Sequence, residues 1–149
     1  MSPRPDAPVS TVMSWPVATI DHEATVSEAA EALAADNIGV LVVLREGALA
    51  GIVSERDVVV HVAAGADLSH LTVGEVMAGD LVTTPPDAPI STAARNMADA
   101  DVRHLPVLVG SLIAGIVSMR DLVPVLADAV DYEDVIVVPS GARVVVRGS

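Results

Sequence analysis

Cysteine, aromatic residues and basic residues are absent or scarce in this chain of 149 residues. Without cysteine, the chain can form no disulfide and has no thiolate chemistry. Its only aromatic residues are Trp15 and Tyr132, so a flat ligand would have to lie between aliphatic side chains and backbone. The chain has eight Lys and Arg residues and 20 Asp and Glu residues. The resulting net charge of −12 argues against a nucleic-acid partner, because phosphate backbones need a basic surface.

Long apolar runs are absent as well. The longest run, about Val40 to Leu44, is far shorter than the roughly 20 residues of a membrane-spanning helix. The first residues, Met1 to Pro8, are polar and rich in proline, unlike the apolar core of a signal peptide. We therefore expect a soluble, cytoplasmic protein with no membrane partner.

Metal-binding and catalytic patterns are also missing. The four histidines, His22, His61, His70 and His104, have no carboxylate or cysteine at metal-ligand spacing, so we predict neither a metal site nor a cofactor. The sequence contains no nucleophile elbow, Walker loop or dinucleotide fingerprint. We therefore do not expect an enzyme.

What the chain does contain is an internal repeat. The segments Gly51–Asp57 and Gly115–Asp121 are nearly the same heptapeptide, 64 residues apart. The same register aligns Met13 with Met77 and continues without a gap. Two copies are too few for a solenoid. We therefore expect two similar half-domains that bury a face against each other, with pseudo-two-fold symmetry.

Each copy is predicted to fold as β-α-β-β-α, which gives an α/β (α+β) protein. The elements predicted for the first copy are a strand at 17–20, a helix at 26–35, strands at 40–44 and 49–53, and a helix at 57–64. Those predicted for the second copy are a strand at 81–84, a helix at 90–100, strands at 105–109 and 114–117, and a helix at 122–130. Capping boxes at Thr25–Glu28 and Thr72–Glu75 support two helix starts. Because the strands are aliphatic on both sides, we expect sheet to pack against sheet.

The chain divides into four predicted segments. They are a disordered lead at 1–8, the first repeat at 9–66, the second repeat at 67–130 and a β-like tail at 131–149. The tail is expected to form a hairpin outside the repeat. An isolated hairpin is marginally stable in water, so we expect it to pack on the body or on a second subunit.

The repeated heptapeptide allows a structural and a functional interpretation. Ser54 with Asp57, and Ser118 with Asp121, each form an S-x-x-D capping box, worth about 1 kcal/mol at a helix start. The same helix start presents outward-pointing N–H groups, and a carboxylate there can accept hydrogen bonds from both hydroxyls of a ribose. The arginine inside each motif could meet phosphates. Serine, arginine and aspartate together therefore suit a ribonucleotide better than a bare phosphate.

Over roughly residues 8–130 the chain resembles a tandem pair of CBS (cystathionine-β-synthase-type) domains, a Bateman module. The resemblance rests on both Gly-aliphatic-x-Ser-x-x-Asp motifs, the β-α-β-β-α order, the Val-Met start of each copy and the Arg-His-Leu-Pro-Val segment at 103–107. It implies a regulatory homodimer that binds an adenosine-containing ligand in two clefts between the repeats: AMP, ADP or ATP, or an S-adenosylmethionine- or NAD-type molecule. Because we find no effector domain in the sequence, we expect the signal to act in trans on a partner protein.

The resemblance also implies a role for each type of site residue. The aspartates hold ribose hydroxyls, the serines contact ribose or phosphate, the isoleucines flank the base, the threonines bond the adenine edge and the basic residues meet phosphates. The residues implied to bind the ligand are Thr19, Ile52, Ser54, Arg56, Asp57, Thr83, Arg103, His104, Ile116, Ser118, Arg120 and Asp121. Each cleft would draw its aspartate from one repeat and its threonine from the other.

The two implied clefts are unequal. The second copy has Arg103-His104 where the first has Gly39-Val40. We therefore expect the cleft of Asp121 to be the tighter site for a charged nucleotide. Two other functions stay open: a constitutive dimerisation or scaffold module with degenerate clefts, and an enzyme whose site forms at a dimer interface.

Overall fold

In the first repeat the helices and strands follow the predicted order, and in the second repeat all of the predicted elements except the first strand form. A computed structural model describes residues 3–129, 135–137 and 143–145. The elements of the first repeat are a 3-10 turn at Val9–Thr11, β1 at Thr19–Asp21, α1 at Val26–Asp36, β2 at Val40–Arg45, β3 at Ala48–Ser54 and α2 at Glu55–Ala63. Those that follow are α3 at Val73–Val76, α4 at Ile90–Ala100, β4 at His104–Val109, β5 at Leu112–Ser118, α5 at Met119–Ala129, β6 at Val135–Val137 and β7 at Arg143–Val145. The mixed α/β class is confirmed.

The capping chemistry read from the sequence sets the helix starts. The Thr25 hydroxyl accepts a hydrogen bond from the Glu28 N–H at 3.1 Å, and the predicted Thr72–Glu75 capping box is present at α3. Helices α2 and α5 begin two and three residues before the predicted starts. The reason is that an N-cap serine places the first helical residue directly after itself.

The first strand of the second repeat, predicted at 81–84, does not form. In the first repeat, β1 runs parallel to β2, and the Val42 N–H donates to the Ala18 carbonyl at 2.9 Å. The position equivalent to Val42 is Pro106, which has no N–H to donate. Only a single parallel bridge, Thr84 to Val107, remains. The first repeat therefore contains the sheet β1-β2-β3, and the second contains the hairpin β4-β5.

Each repeat packs its leading segment into the core of the other repeat. Val9 is fully buried among α4, β4, β5 and α5, whereas Val73 of α3 belongs to the core of the first repeat. The anchoring hydrogen bonds are equivalent: the Val9 N–H donates to the Ala88 carbonyl at 2.8 Å, and the Val73 N–H donates to the Ala24 carbonyl at 2.7 Å. This exchange ties the two halves together with the expected pseudo-two-fold symmetry.

The expectation of a disordered lead is wrong for residues 5–8. Helix α4 begins after Pro89, which provides no side-chain cap. The Ile90 and Ser91 N–H groups instead donate to the carbonyls of Ala7 and Pro5, both at 2.9 Å. Unsatisfied N–H groups at a helix start need such partners, so the lead becomes part of the second repeat.

The predicted tail hairpin is present, with β6 and β7 paired antiparallel. Its expected packing on the body or on a second subunit lies outside the described residues. Among the described helices, none combines the length and apolarity that crossing a bilayer would require.

Candidate functional site

A cavity of about 970 Å³ lies between the two repeats and takes its lining from both. It brings together all but two of the predicted ligand-binding residues. Those that line it are Ile52, Ser54, Arg56, Asp57, Arg103, His104, Ile116, Ser118, Arg120 and Asp121. The two predicted clefts are therefore joined as one continuous space.

Thr19 and Thr83 are the exceptions, because both are exposed and neither lines the cavity. On the side of β1, the wall is formed by residues 16–18, just before Thr19. Thr83 lies in the segment that forms no strand. Neither residue therefore lines this cavity, and their role at the adenine edge stays a prediction.

Other lining residues were not predicted from the sequence. Asn37 and Asp101 end α1 and α4, and both have a left-handed backbone with φ of 50° and 54°. They are 64 residues apart, so aligning the ends of the two helices would have found them as a pair. Ser14 and Ala78 line the cavity where the chain pairs with β5 and β3.

The two Ser-x-x-Asp motifs form almost identical capping boxes. Asp57 Oδ2 accepts hydrogen bonds from the Ser54 N–H at 2.8 Å and from the Ser54 hydroxyl at 3.0 Å. Asp121 Oδ2 accepts the same two bonds from Ser118, both at 2.9 Å. The structural interpretation of the motif is therefore confirmed in both repeats.

Each capping box leaves one carboxylate oxygen available to a ligand. Within the described residues, Oδ1 of Asp57 and Oδ1 of Asp121 accept no hydrogen bond. The serine hydroxyls, in contrast, already donate to their own aspartates. The aspartates, rather than the serines, are therefore the acceptors that face the cavity with spare capacity.

The cavity concentrates the few cations of an acidic chain. All eight basic residues of the sequence are arginines, and Arg56, Arg103 and Arg120 line this one space. None of the three forms an ion pair with a carboxylate of the described residues. Their guanidinium groups therefore remain available for phosphate oxygens.

The charges are unequal between the two sides of the cavity. The first repeat contributes Arg56 against three carboxylates, those of Asp36, Glu55 and Asp57. The second contributes Arg103, Arg120 and His104 against the carboxylates of Asp101 and Asp121. An anionic ligand group is therefore better accommodated beside the second repeat.

Isoleucines provide the apolar part of the wall. Ile52 and Ile116 occupy equivalent positions on β3 and β5, and each is 8% exposed. Neither belongs to the core of its own repeat.

No group of three or more His, Asp or Glu side chains within the described parts of the chain could hold a metal ion.

Comparison with known proteins agrees with this architecture. The CBS domain family model matches residues 9–64 and 73–128. The CBS domain-containing protein YhcV of Bacillus subtilis is 32% identical over 114 residues, which cover 76% of this chain and 81% of YhcV.

Two solved structures share the fold. The CBS domain pair of protein MJ0100, in complex with 5′-methylthioadenosine and S-adenosyl-L-methionine, has a TM-score of 0.75 and 25% identity, covering 85% of this chain and all of that one. The hexameric CBS-CP12 protein from bloom-forming cyanobacteria has a TM-score of 0.73 and 33% identity, covering 78% of this chain and 66% of that one. The chain therefore belongs to the CBS domain family, as a tandem pair of CBS domains.

Proposed function

We propose that the protein is a regulatory module that binds an adenosine nucleotide of the AMP, ADP or ATP class between its two CBS domains. The observation that carries this proposal is that, within the described residues, Asp121 Oδ1 accepts no hydrogen bond and the three arginines of the same cavity form no ion pair. A ribose needs a hydrogen-bond acceptor, and phosphates need cations. A nucleotide presents both groups.

The proposed pose follows from the lining. The ribose hydroxyls donate to Asp121 Oδ1, the base lies between Ile52 and Ile116, and the phosphates lie beside Arg103 and Arg120. The ligands named for the MJ0100 pair are both adenosine derivatives, which supports the choice of base and sugar. The second repeat lines the cavity with two arginines and two carboxylates, whereas the first has one arginine and three carboxylates, and this difference supports placing the phosphates beside the second repeat.

A thermal-shift panel tests this function. We expect one of AMP, ADP and ATP to raise the melting temperature, since a ligand at 100 times its dissociation constant adds about 2.7 kcal/mol to the free energy of unfolding. S-adenosylmethionine and NADH complete the panel. If none of the five raises the melting temperature at millimolar concentration, the adenosine proposal fails and the scaffold function takes its place.

The proposed output is a change in the relative pose or rigidity of the two CBS domains, read by a partner protein. A ligand that contacts both repeats can bias their arrangement by its differential affinity. Catalysis in the cavity has no support from the described side chains, because the Ser54 and Ser118 hydroxyls donate to aspartates and neither hydroxyl hydrogen-bonds to a histidine.

We further propose that the module is a homodimer formed through α2 and α5. No residue of α2 is buried, and Val59, Val60 and Val62 are 63%, 54% and 58% exposed. Val123 on α5, equivalent to Val59, is 53% exposed. Exposed apolar residues on equivalent helices of the two repeats favour a protein partner, and the equivalent helices of two copies can bury them together.

Val59→Glu is expected to convert the dimer to a monomer, because a charge would be buried without a partner. Sedimentation or light scattering would show the mass fall from twice the chain mass of 15.2 kDa to that of one chain. Val109→Glu is a matched control, since Val109 is similarly exposed, at 56%, but lies at the tip of the β4–β5 hairpin. A monomeric wild-type protein, or a V59E protein that stays dimeric, would refute this interface.

A further inference from the structure

Position 104 breaks the pseudo-two-fold symmetry of the cavity. His104 begins β4 and pairs with Ser118 of β5 in the antiparallel register, so it stands beside the capping box of its own repeat. Its Nε2 atom also lies 3.9 Å from the point that a Cβ atom on Gly39 would occupy. His104 therefore reaches from the second repeat into space that a glycine leaves free in the first. The equivalent position in the first repeat is Val40, whose side chain has no titratable group.

Charged groups face His104 from both repeats. They are Asp121 and Arg120 on α5, Asp57 and Glu55 at the start of α2, and the adjacent Arg103. Glu55 is included because its Oε1 atom lies 4.0 Å from the same Cβ point on Gly39. His104 is the only histidine among the described residues that line the cavity.

The imidazole is neutral while the cavity is empty at pH 7 or above. Burial lowers the pKa of His104 below its ordinary value of about 6.5. The carboxylates of Asp121 and Asp57 oppose this lowering, and Arg120 and Arg103 add to it. A phosphate placed beside Arg103 and Arg120 would bring negative charge to the imidazole and favour its protonated form.

We propose that His104 takes up a proton when an anionic adenosine nucleotide binds, and so selects ligands by their charge. This inference rests on the proposed function of the cavity. The neutral imidazole accommodates an uncharged nucleoside without change, whereas a nucleotide converts it to an additional cation beside the phosphates. The affinity for nucleotides therefore rises as the pH falls from the pKa of His104 in the complex towards its pKa in the empty cavity, and levels off below that.

Isothermal titration of the full chain with AMP and with adenosine tests the inference. The titrations run at pH 8.0 and 6.5, in buffers of different ionisation enthalpy, with wild type, His104→Gln and His104→Val. AMP itself titrates, because a phosphate monoester has a second pKa near 6. The titration of free AMP is common to all the proteins and cancels in their comparison. His70→Gln is a matched control, since His70 is exposed and does not line the cavity.

The expected result is proton uptake with AMP that is larger in wild type and H70Q than in H104Q and H104V. The affinity for AMP should rise from pH 8.0 to 6.5 by a factor that is at least about threefold greater in wild type than in H104Q. Uptake of one proton limits this rise in affinity to about tenfold per pH unit. Adenosine should show no such difference. If AMP binds with equal proton uptake in all four proteins, the inference is wrong and the proposed function stands. If neither AMP nor adenosine binds any protein, the inference fails, whereas the proposed function fails only if none of the five ligands of the thermal-shift panel binds.

Discussion

Asp121→Asn is expected to weaken binding of the adenosine nucleotide roughly 10- to 100-fold with little change in fold. A hydrogen bond to a charged group is worth about 1.5–3 kcal/mol, and about 1.4 kcal/mol is a factor of ten in affinity. The amide keeps one carbonyl oxygen, which can still accept from the Ser118 N–H and hydroxyl as Asp121 Oδ2 does. It replaces the free Oδ1 with an NH₂ group that donates and cannot accept from a ribose hydroxyl.

Two matched variants separate ligand binding from helix capping. Asp57→Asn makes the same change in the other repeat, where the cavity has more carboxylates, so we expect a smaller loss of nucleotide affinity. Ser118→Ala removes the hydroxyl of the cap and should cost about 1 kcal/mol of stability. Equal, small effects of D121N and D57N on nucleotide affinity would mean that the aspartates only cap helices. The nucleotide proposal would then lose its main support.

The sequence predicted the parts of the molecule that depend on local chemistry. The repeat of the heptapeptide implied two copies of one fold, and threonines or serines three residues before an acid marked four helix starts. Those patterns work because a cap is made by residues close together in the chain. The resemblance to CBS domains then placed most of the site residues in one region.

The parts that the sequence did not predict depend on contacts between the repeats. Pro106 offered a clue to the missing strand, since a proline removes a ladder hydrogen bond. Nothing in the sequence near Val9 or Val73 indicates that each joins the core of the other repeat. The position of His104 near Gly39 likewise depends on how the two repeats meet at the cavity, and the proposed charge selectivity depends on it.

Gly115→Ala is expected to destabilise the protein by about 1–3 kcal/mol, the usual cost of overpacking. A Cβ atom at this position would lie 2.7 Å from the Met13 sulfur and 2.8 Å from the Ser14 carbonyl oxygen. The thioether can move, but the Ser14 backbone is held by two hydrogen bonds to Ile116, at 2.8 and 3.0 Å. The clash therefore acts on the segment that joins the two repeats, and a loss of roughly 2–4 °C in melting temperature per kcal/mol should follow.

Gly79→Ala is the matched control, because a Cβ atom there would meet nothing within 4 Å. We expect it to be neutral or slightly stabilising, since alanine lowers the entropy of the unfolded chain. Trp15 directly follows Ser14. It is the only tryptophan of the sequence, is 70% exposed and reports on this segment by its fluorescence. If the G115A protein has the same melting temperature as the G79A protein, β5 does not hold this segment as closely as described. If the Trp15 emission changes before global unfolding in G115A alone, the segment that contains Ser14 detaches first. That detachment removes Ser14 from the cavity wall. The stability of this segment is then coupled to ligand binding.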